Sequence, residues 1–340
     1  MQKKMFKTTM VMIFIFIILE GSIIFIIDPY QRYRKPFYNK TVYLDGYQLN
    51  QGILKNYKYT SLIVGSSMNE NTLSKEADSY FEDETFINIS VGGNKAKEIE
   101  KMIKFAKRKQ VNKIILNIDY SYFYPNLEYK INDYLYSDNY LKDYKYLLNV
   151  DSFMQVLRII LKPQVNIYNS SFWGDDYKYG KEIILKNYGK NDFKSLKLKY
   201  ESEKIVEKSK EIYMNTLNKI VEDNPNTKFY IFYPPYSMIT YLIESKEEKF
   251  YKDLEIKEFV EKNLLEYKNV ELYDFQVASE ITHNLDNYKD YSHYSPKINS
   301  LMLEYMFKDK KYLVTKENYK KYIEDLKEQT NNFKNKLLTN

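Results

Sequence analysis

The sequence predicts an α/β protein: a three-layer α/β/α domain around a mostly parallel central sheet, preceded by one transmembrane helix. Three observations lead there. Short apolar runs rich in β-branched or aromatic residues recur at Ser61–Val64, Phe86–Ile89, Lys113–Ile118, Lys228–Tyr233 and Val270–Tyr273. Between them lie stretches with helical spacing, such as Ile99, Met102, Ile103 and Ala106 within Lys95–Lys109. Strands alternating with amphipathic helices form βαβ units and therefore a parallel sheet. Finally, Thr8–Ile27 is mostly apolar, and a helix of about 20 residues rising 1.5 Å each crosses a hydrocarbon core of about 30 Å.

Taken in order, the chain is regular at both ends and irregular in its middle. Basic Met1–Lys7 precedes the apolar run, which Glu20, Gly21 and Ser22 interrupt. A lone glutamate is tolerated towards one end of a span and costly at its centre. A cleavable signal peptide is the rival reading. No small-x-small cleavage site follows the run, which is also long for a signal h-region, so an uncleaved anchor is expected. Lys3, Lys4 and Lys7 flank one side and Arg32, Arg34, Lys35 and Lys40 the other, so the positive-inside rule does not decide orientation. Long domains translocate largely regardless of charge, which permits an N-in, C-out anchor.

Residues 28–59 then read as a connector, 60–310 as the α/β domain and 311–340 as a polar helical tail. Helices are predicted over about 72–80, 95–109, 201–221, 247–267 and 296–307, with Pro296 suited to a first helical turn. An insertion around 120–200 interrupts the domain. Its start, 119–146, is rich in Tyr, Asn and Asp and reads as a long loop, whereas Val150–Leu161 places Phe153, Val156, Leu157 and Ile160 on one helical face.

Composition narrows the chemistry. Hydrophobic content of 44% supports a core, and 29% charged residues of both signs, interspersed, exclude a disordered tail protein. A net charge of +6 over 340 residues, with no dense Lys/Arg cluster among aromatics, argues against nucleic acid. Weak attraction to anionic lipid or an anionic cell-wall polymer is the more natural consequence. The absence of cysteine excludes disulfides and thiolate chemistry and fits an exported bacterial protein. Only His283 and His293 are present, which argues against a multi-histidine metal site. The 37 tyrosines fit either a sugar-stacking surface or the codon bias of an AT-rich genome.

Three stretches could carry catalysis. Leu62–Ser67 runs an apolar strand into Gly65-Ser66-Ser67. A serine at a strand-to-helix turn lies beside backbone N–H groups and the positive end of a helix dipole, both useful to a developing oxyanion. Ser67-x-x-Glu70 equally matches a capping box, in which the serine only caps a helix. Asp290-x-x-His293 supplies the groups a serine hydroxyl needs: an imidazole base and a carboxylate that fixes its tautomer. Glu280-x-x-His283 has the same spacing. His293 differs in lying just before the last predicted helix of the domain, and His283 reads as a surface or loop residue. The third stretch, Asn88–Asn94, ends a strand with Gly92-Gly93, where a backbone N–H can approach a substrate oxygen. A plain strand-to-helix turn is the alternative there.

Together these stretches resemble the SGNH (GDSL-like) hydrolase and acyltransferase superfamily, over roughly residues 60–310. The resemblance implies a flavodoxin-like fold with Ser67 as nucleophile, His293 as general base and Asp290 as its partner. It also implies an oxyanion hole built from the Ser67 and Gly93 N–H groups. The family's third block supplies an asparagine after strand three, but Leu116–Ser121 contains no Gly-x-Asn. Ser121 occupies that slot by position, and Asn117 is expected within the strand. This departure is similar to the membrane-anchored branch of alginate acetylation and teichoic acid D-alanylation proteins, which work beside a membrane-bound O-acyltransferase. Tyr236, after Pro234-Pro235, reads either as shaping an acceptor pocket or as part of a rigid loop, Asn94 is a further substrate-binding candidate, and Trp173 reads as a buried anchor of the insertion in preference to a sugar-stacking residue.

The resemblance therefore implies extracytoplasmic O-acyl transfer, with acetyl as the expected group, to a cell-surface glycopolymer of a Gram-positive bacterium. The anchor would hold the site near a membrane acyl donor. An esterase of the same fold and a non-catalytic glycan-binding subunit remain the alternatives. None of these chemistries requires a metal or organic cofactor.

Overall fold

The computed structural model describes residues 2–37, 46–107, 109–125, 129–161, 177–188, 204–245 and 249–339. Trp173 and the middle of the 120–200 insertion lie outside the described residues. The chain divides into two compact units: Met1–Lys58 with Lys104–Arg108 and Lys130–Asn169, and Tyr59–Ile103 with Lys109–Tyr129 and Ser170–Asn340.

The second unit is α/β and built on one sheet. Its strands are β1 (Ser61–Val64), β2 (Phe86–Asn88), β3 (Lys113–Asn117), β4 (Lys228–Tyr233), β5 (Val270–Asp274) and β6 (Leu313–Val314), in the order β2-β1-β3-β4-β5-β6. The first five pair in parallel, for example Val64 with Leu116 and Leu116 with Ile231. All four residues of β1 are buried. Central parallel strands are covered on both faces, so they read as unbroken apolar runs instead of alternating ones. Ile63, Ile115, Phe232, Tyr273 and Phe275 pack in one core with Met302 and Leu303. Because β1 lies between β2 and β3, the direction of strand addition reverses there. Ligands of open α/β sheets sit outside the carboxyl ends of strands at such a reversal.

Several expectations change in detail. The helix predicted over 72–80 is the shorter Ser74–Asp78, and it is preceded by a separate turn of helix, Ser67–Glu70, after which the side chains of Asn69 and Thr72 hydrogen-bond to each other (2.6 Å). The 201–221 helix begins at Ile205 among the described residues and continues through a wide π turn at Met214–Asn218. Met238–Glu244 is a helix with no amphipathic signature, because Met238 to Leu242 are all buried. The C-terminal segment is not a separate polar tail. Two of its residues form the antiparallel edge strand β6, and helix Tyr319–Thr339 buries Ile323 and Leu326 in a cluster with Met238, Phe250 and Leu254.

The first unit also departs from expectation. Its helix Gln2–Ile27 has 26 residues and is long and apolar enough to cross a membrane. The supposed connector holds helix Gly46–Asn56, whose residues Tyr47 to Leu54 are all buried. Residues 130–161 belong with this unit instead of the α/β domain. Fully buried Arg32 explains part of that: its guanidinium donates to Asp143 Oδ1 (3.0 Å) and to the Leu135 carbonyl (2.8 Å). Breaking such a pair strands a buried charge, at a cost of about 3–5 kcal/mol. On helix Val150–Leu161 the buried face is Ser152, Gln155, Val156 and Ile159, not the predicted face, and Ile160 is exposed.

Docking of the C-terminal helix gives a direct test. Leu326→Ala should destabilise the protein by about 2–5 kcal/mol through lost burial and the cavity left behind. Chemical denaturation reads this, and a solvated tail would give no measurable change.

Candidate active site

The turn that carries Ser67 is shaped by one close approach. Gly65 ends β1 with φ +153°, and a Cβ there would lie 1.8 Å from Asn117 Oδ1. Only glycine lets the Asn117 side chain reach over from the end of β3. The fully buried amide then accepts from the Ser66 N–H (3.0 Å) and donates to Ser66 Oγ (3.2 Å) and to the Tyr122 hydroxyl (2.6 Å). Ser66, not Ser67, is the helix N-cap, its hydroxyl accepting from the Met68 N–H. Glu70 does not reach back to the cap. It accepts from the Gly92 N–H at 2.7 Å. The capping-box reading of Ser67 and Glu70 is thus corrected, because the cap falls one residue earlier.

Ser67 is therefore available for another partner. Its Oγ lies 2.9 Å from His293 Nε2, across 226 residues of sequence. His293 Nδ1 lies 2.8 Å from Asp290 Oδ2 and 3.0 Å from Oδ1. A ring nitrogen facing a carboxylate carries the proton, which leaves the Nε2 lone pair directed at the serine. Asp290 Oδ1 also accepts the backbone N–H groups of Ser292 and His293, each at 2.8 Å. Burial alone would raise the Asp290 pKa, but the hydrogen bonds from the His293 ring and from these two N–H groups hold it below the usual carboxylate value.

The histidine loop is tied to the segment after β4 on one side and to the Ser67 helix on the other. The Tyr291 carbonyl accepts from the hydroxyls of Ser237 and Thr240, both at 2.6 Å. The Met68 carbonyl accepts from the Tyr294 hydroxyl (2.8 Å) and the Asn299 amide (2.9 Å). His283 sits elsewhere, at the end of helix Ser279–Thr282 with its ring against Phe333.

Gly93 has φ +75°, the left-handed region, and stands with Ser67 on the wall of a pocket of about 350 Å³. Neither the Ser67 nor the Gly93 N–H donates a backbone hydrogen bond among the described residues. Ser121 also lines the pocket, but Asp119 Oδ1 already accepts its N–H at 2.7 Å, so only its hydroxyl is open to a ligand. Asn94 lines the pocket as well, yet its buried amide donates to the Gly65 carbonyl at 3.2 Å and serves the turn.

The rest of the wall is aromatic and polar: Tyr122, Tyr124, Tyr236 and Tyr291 with Thr240, Glu244 and Lys249. Lys249 is held by Glu244 (2.7 Å) and Asp253 (2.5 Å). Burial, and then the Asp119 charge, keeps the Tyr236 phenol protonated well above its ordinary pKa. Among the described residues, no cluster of three or more histidines and carboxylates could hold a metal. Asn117 lies in β3 as expected, but its part in the turn, with Ser66 and Tyr122, is not readable from the sequence. The available signal was an asparagine ending the apolar run Ile114-Ile115-Leu116.

No protein-family profile matches the chain. No curated protein matches it either.

Glu70 makes the site pH-sensitive. Burial raises its pKa from 4.5 to about 7, against the lowering effects of the Gly92 N–H and Lys289. The folded state therefore binds more protons than the unfolded chain between about pH 4.5 and 7, and stability falls as pH rises through that window. Glu70→Gln keeps an acceptor for Gly92 and should flatten this slope in denaturation midpoints taken across the window. An unchanged slope would show that Glu70 titrates normally.

Proposed function

We propose that the protein transfers acyl groups through a Ser67 ester, as the SGNH resemblance implies. The observation that carries this reading is the continuous relay from Ser67 Oγ through His293 to Asp290. In the forward step Ser67 Oγ attacks the acyl carbonyl carbon while His293 Nε2 takes the hydroxyl proton. Asp290 stabilises the imidazolium that results. The N–H groups of Ser67 and Gly93 would hold the negative oxygen, and fixed donors of this kind contribute about 2.7–4 kcal/mol each. Collapse expels the leaving oxygen, which receives the proton from His293. An acceptor hydroxyl then gives its proton to His293, attacks the ester carbonyl and regenerates Ser67.

The β2-β1-β3-β4-β5 order supports a doubly wound, flavodoxin-like arrangement with the site outside strand carboxyl ends at the reversal. The tyrosine-rich, hydrogen-bonding wall suits a sugar hydroxyl as acceptor, and a cell-surface glycopolymer is the polymer class we assign. Helix Gln2–Ile27 supports anchoring in the membrane, where a membrane-bound O-acyltransferase could deliver the acyl group. Hydrolysis shares the first half-reaction and differs only in water as second nucleophile.

Ser67→Ala should abolish labelling by a fluorophosphonate and remove a mass increment of one acyl group from the Ser67 peptide. Asp290→Asn should keep the fold and slow labelling by about 10³-fold or more. Given a small acetyl ester and an oligosaccharide, the wild-type chain should form acylated sugar faster than free acid. Free acid alone would make it an esterase, and wild-type labelling of Ser67→Ala would remove the proposed nucleophile.

A further inference from the structure

We infer that residues 141–161 of the first unit are a membrane-embedded element, lying in one leaflet beside the N-terminal helix. This rests on the reading of Gln2–Ile27 as a bilayer span, and it assigns lipid contact to a segment some 120 residues further along the chain.

The depth follows from contacts with the span. At its carboxyl end Arg34 donates to the Ile26 carbonyl (3.0 Å) and lies over the Phe25 ring, which also packs against Tyr33. An arginine and tyrosines at this level mark a membrane–water boundary. Further along the helix, a Cβ on Gly21 would lie 3.6 Å from both the Leu147 carbonyl oxygen and Leu148 Cδ2. Gly21 stands six residues before Ile27, which is about 9 Å along a helix axis. The cleft between these segments continues to Ile18 and Ile17, near the middle of the apolar run. Helix Tyr144–Leu147 and helix Val150–Leu161 both pack on the span. If the span crosses the bilayer, its neighbours at this depth are surrounded by the same hydrocarbon.

The surface of helix Val150–Leu161 has the matching chemistry. Its protein-facing side is partly polar, with Ser152 and Gln155 buried. Its outward side is apolar: Val150 is 73% exposed, Met154 46% and Leu161 76%. At about 100° per residue these three, with half-buried Leu157, fall within one narrow arc opposite the buried side. Exposed Asp151 and Arg158 lie together on its edge. Leu148 is exposed too, and Leu141 is 87% exposed. A water-facing helix would have the reverse distribution. An amphipathic helix set into acyl chains, with charges at the rim, has this one. Exposed Lys142 and Lys145 lie at the start of the segment, where they suit anionic headgroups.

The chain has no cysteine, so each introduced cysteine is a single labelling site. Full-length Met154→Cys, Leu161→Cys, Phe14→Cys and Tyr251→Cys would be labelled with an environment-sensitive fluorophore. Each would be reconstituted into phosphatidylglycerol/phosphatidylethanolamine vesicles. Labels at positions 154 and 161 should lose about half their emission or more to doxyl-acyl lipid and little to aqueous iodide, as membrane-inserted apolar faces do. Position 251, exposed in the other unit, should show the reverse. Iodide quenching at 154 and 161 while position 14 is lipid-quenched would overturn the inference and leave the span intact. Insensitivity of 154 and 161 to both quenchers would mean that protein covers this face, which also overturns it. Absence of lipid quenching at position 14 would remove the span itself, and the inference with it.

Discussion

The parallel pairing of β1 with β3 is the constraint on which the candidate site depends. Their register sets Val64 beside Leu116, so both strands end at the same level and their next residues meet. Gly65 and Asn117 occupy those positions, and the missing Cβ of one admits the amide of the other. From that contact the turn geometry follows: Ser66 is held by Asn117 and caps the helix, and Ser67 stands one residue beyond with its hydroxyl free for His293. A side chain at residue 65 would push Asn117 away and release Ser66 N–H into a buried space, where an unsatisfied donor costs about 1–3 kcal/mol.

The same turn receives the far end of the chain. Met68, one residue past Ser67, offers its carbonyl to Tyr294 and Asn299, which flank the loop and helix following His293. Ser237 and Thr240, after β4, hold the other side of that loop through the Tyr291 carbonyl. The placing of His293 beside Ser67 is therefore supported by side chains from two segments, Ser237 and Thr240 after β4 and Tyr294 and Asn299 after His293. Preorganisation of this kind holds the Ser67 hydroxyl in line with the His293 ring. Glu70 adds a further brace, reaching from helix Ser67–Glu70 to the Gly92-Gly93 turn.

Much of the fold is legible in the sequence. The five parallel strands are readable because buried strands need continuous apolar runs, and Ser61–Val64 and Lys228–Tyr233 match to the residue. β6 is not readable, since two residues carry no period. Met238–Glu244 is equally silent because a helix buried all round has no polar face. Helix Val150–Leu161 is readable as a helix but misleading in orientation. The usual rule turns the apolar face inward, and here Ser152 and Gln155 are turned inward.

By itself the sequence determined the residue types of the candidate site and their order: a glycine-serine turn after the first strand, a glycine pair after the second, and Asp290-x-x-His293 near the end. These signals are local, so spacing alone reveals them. Only the tertiary structure decided which serine caps and which faces the histidine, that Glu70 braces Gly92, and that Asn117 governs the turn. The physical reason is that capping, close approach and hydrogen-bond pairing depend on strand register and on atoms brought together across 51 to 226 residues. A one-residue change in that register would part Gly65 from Asn117 without altering any motif in the sequence.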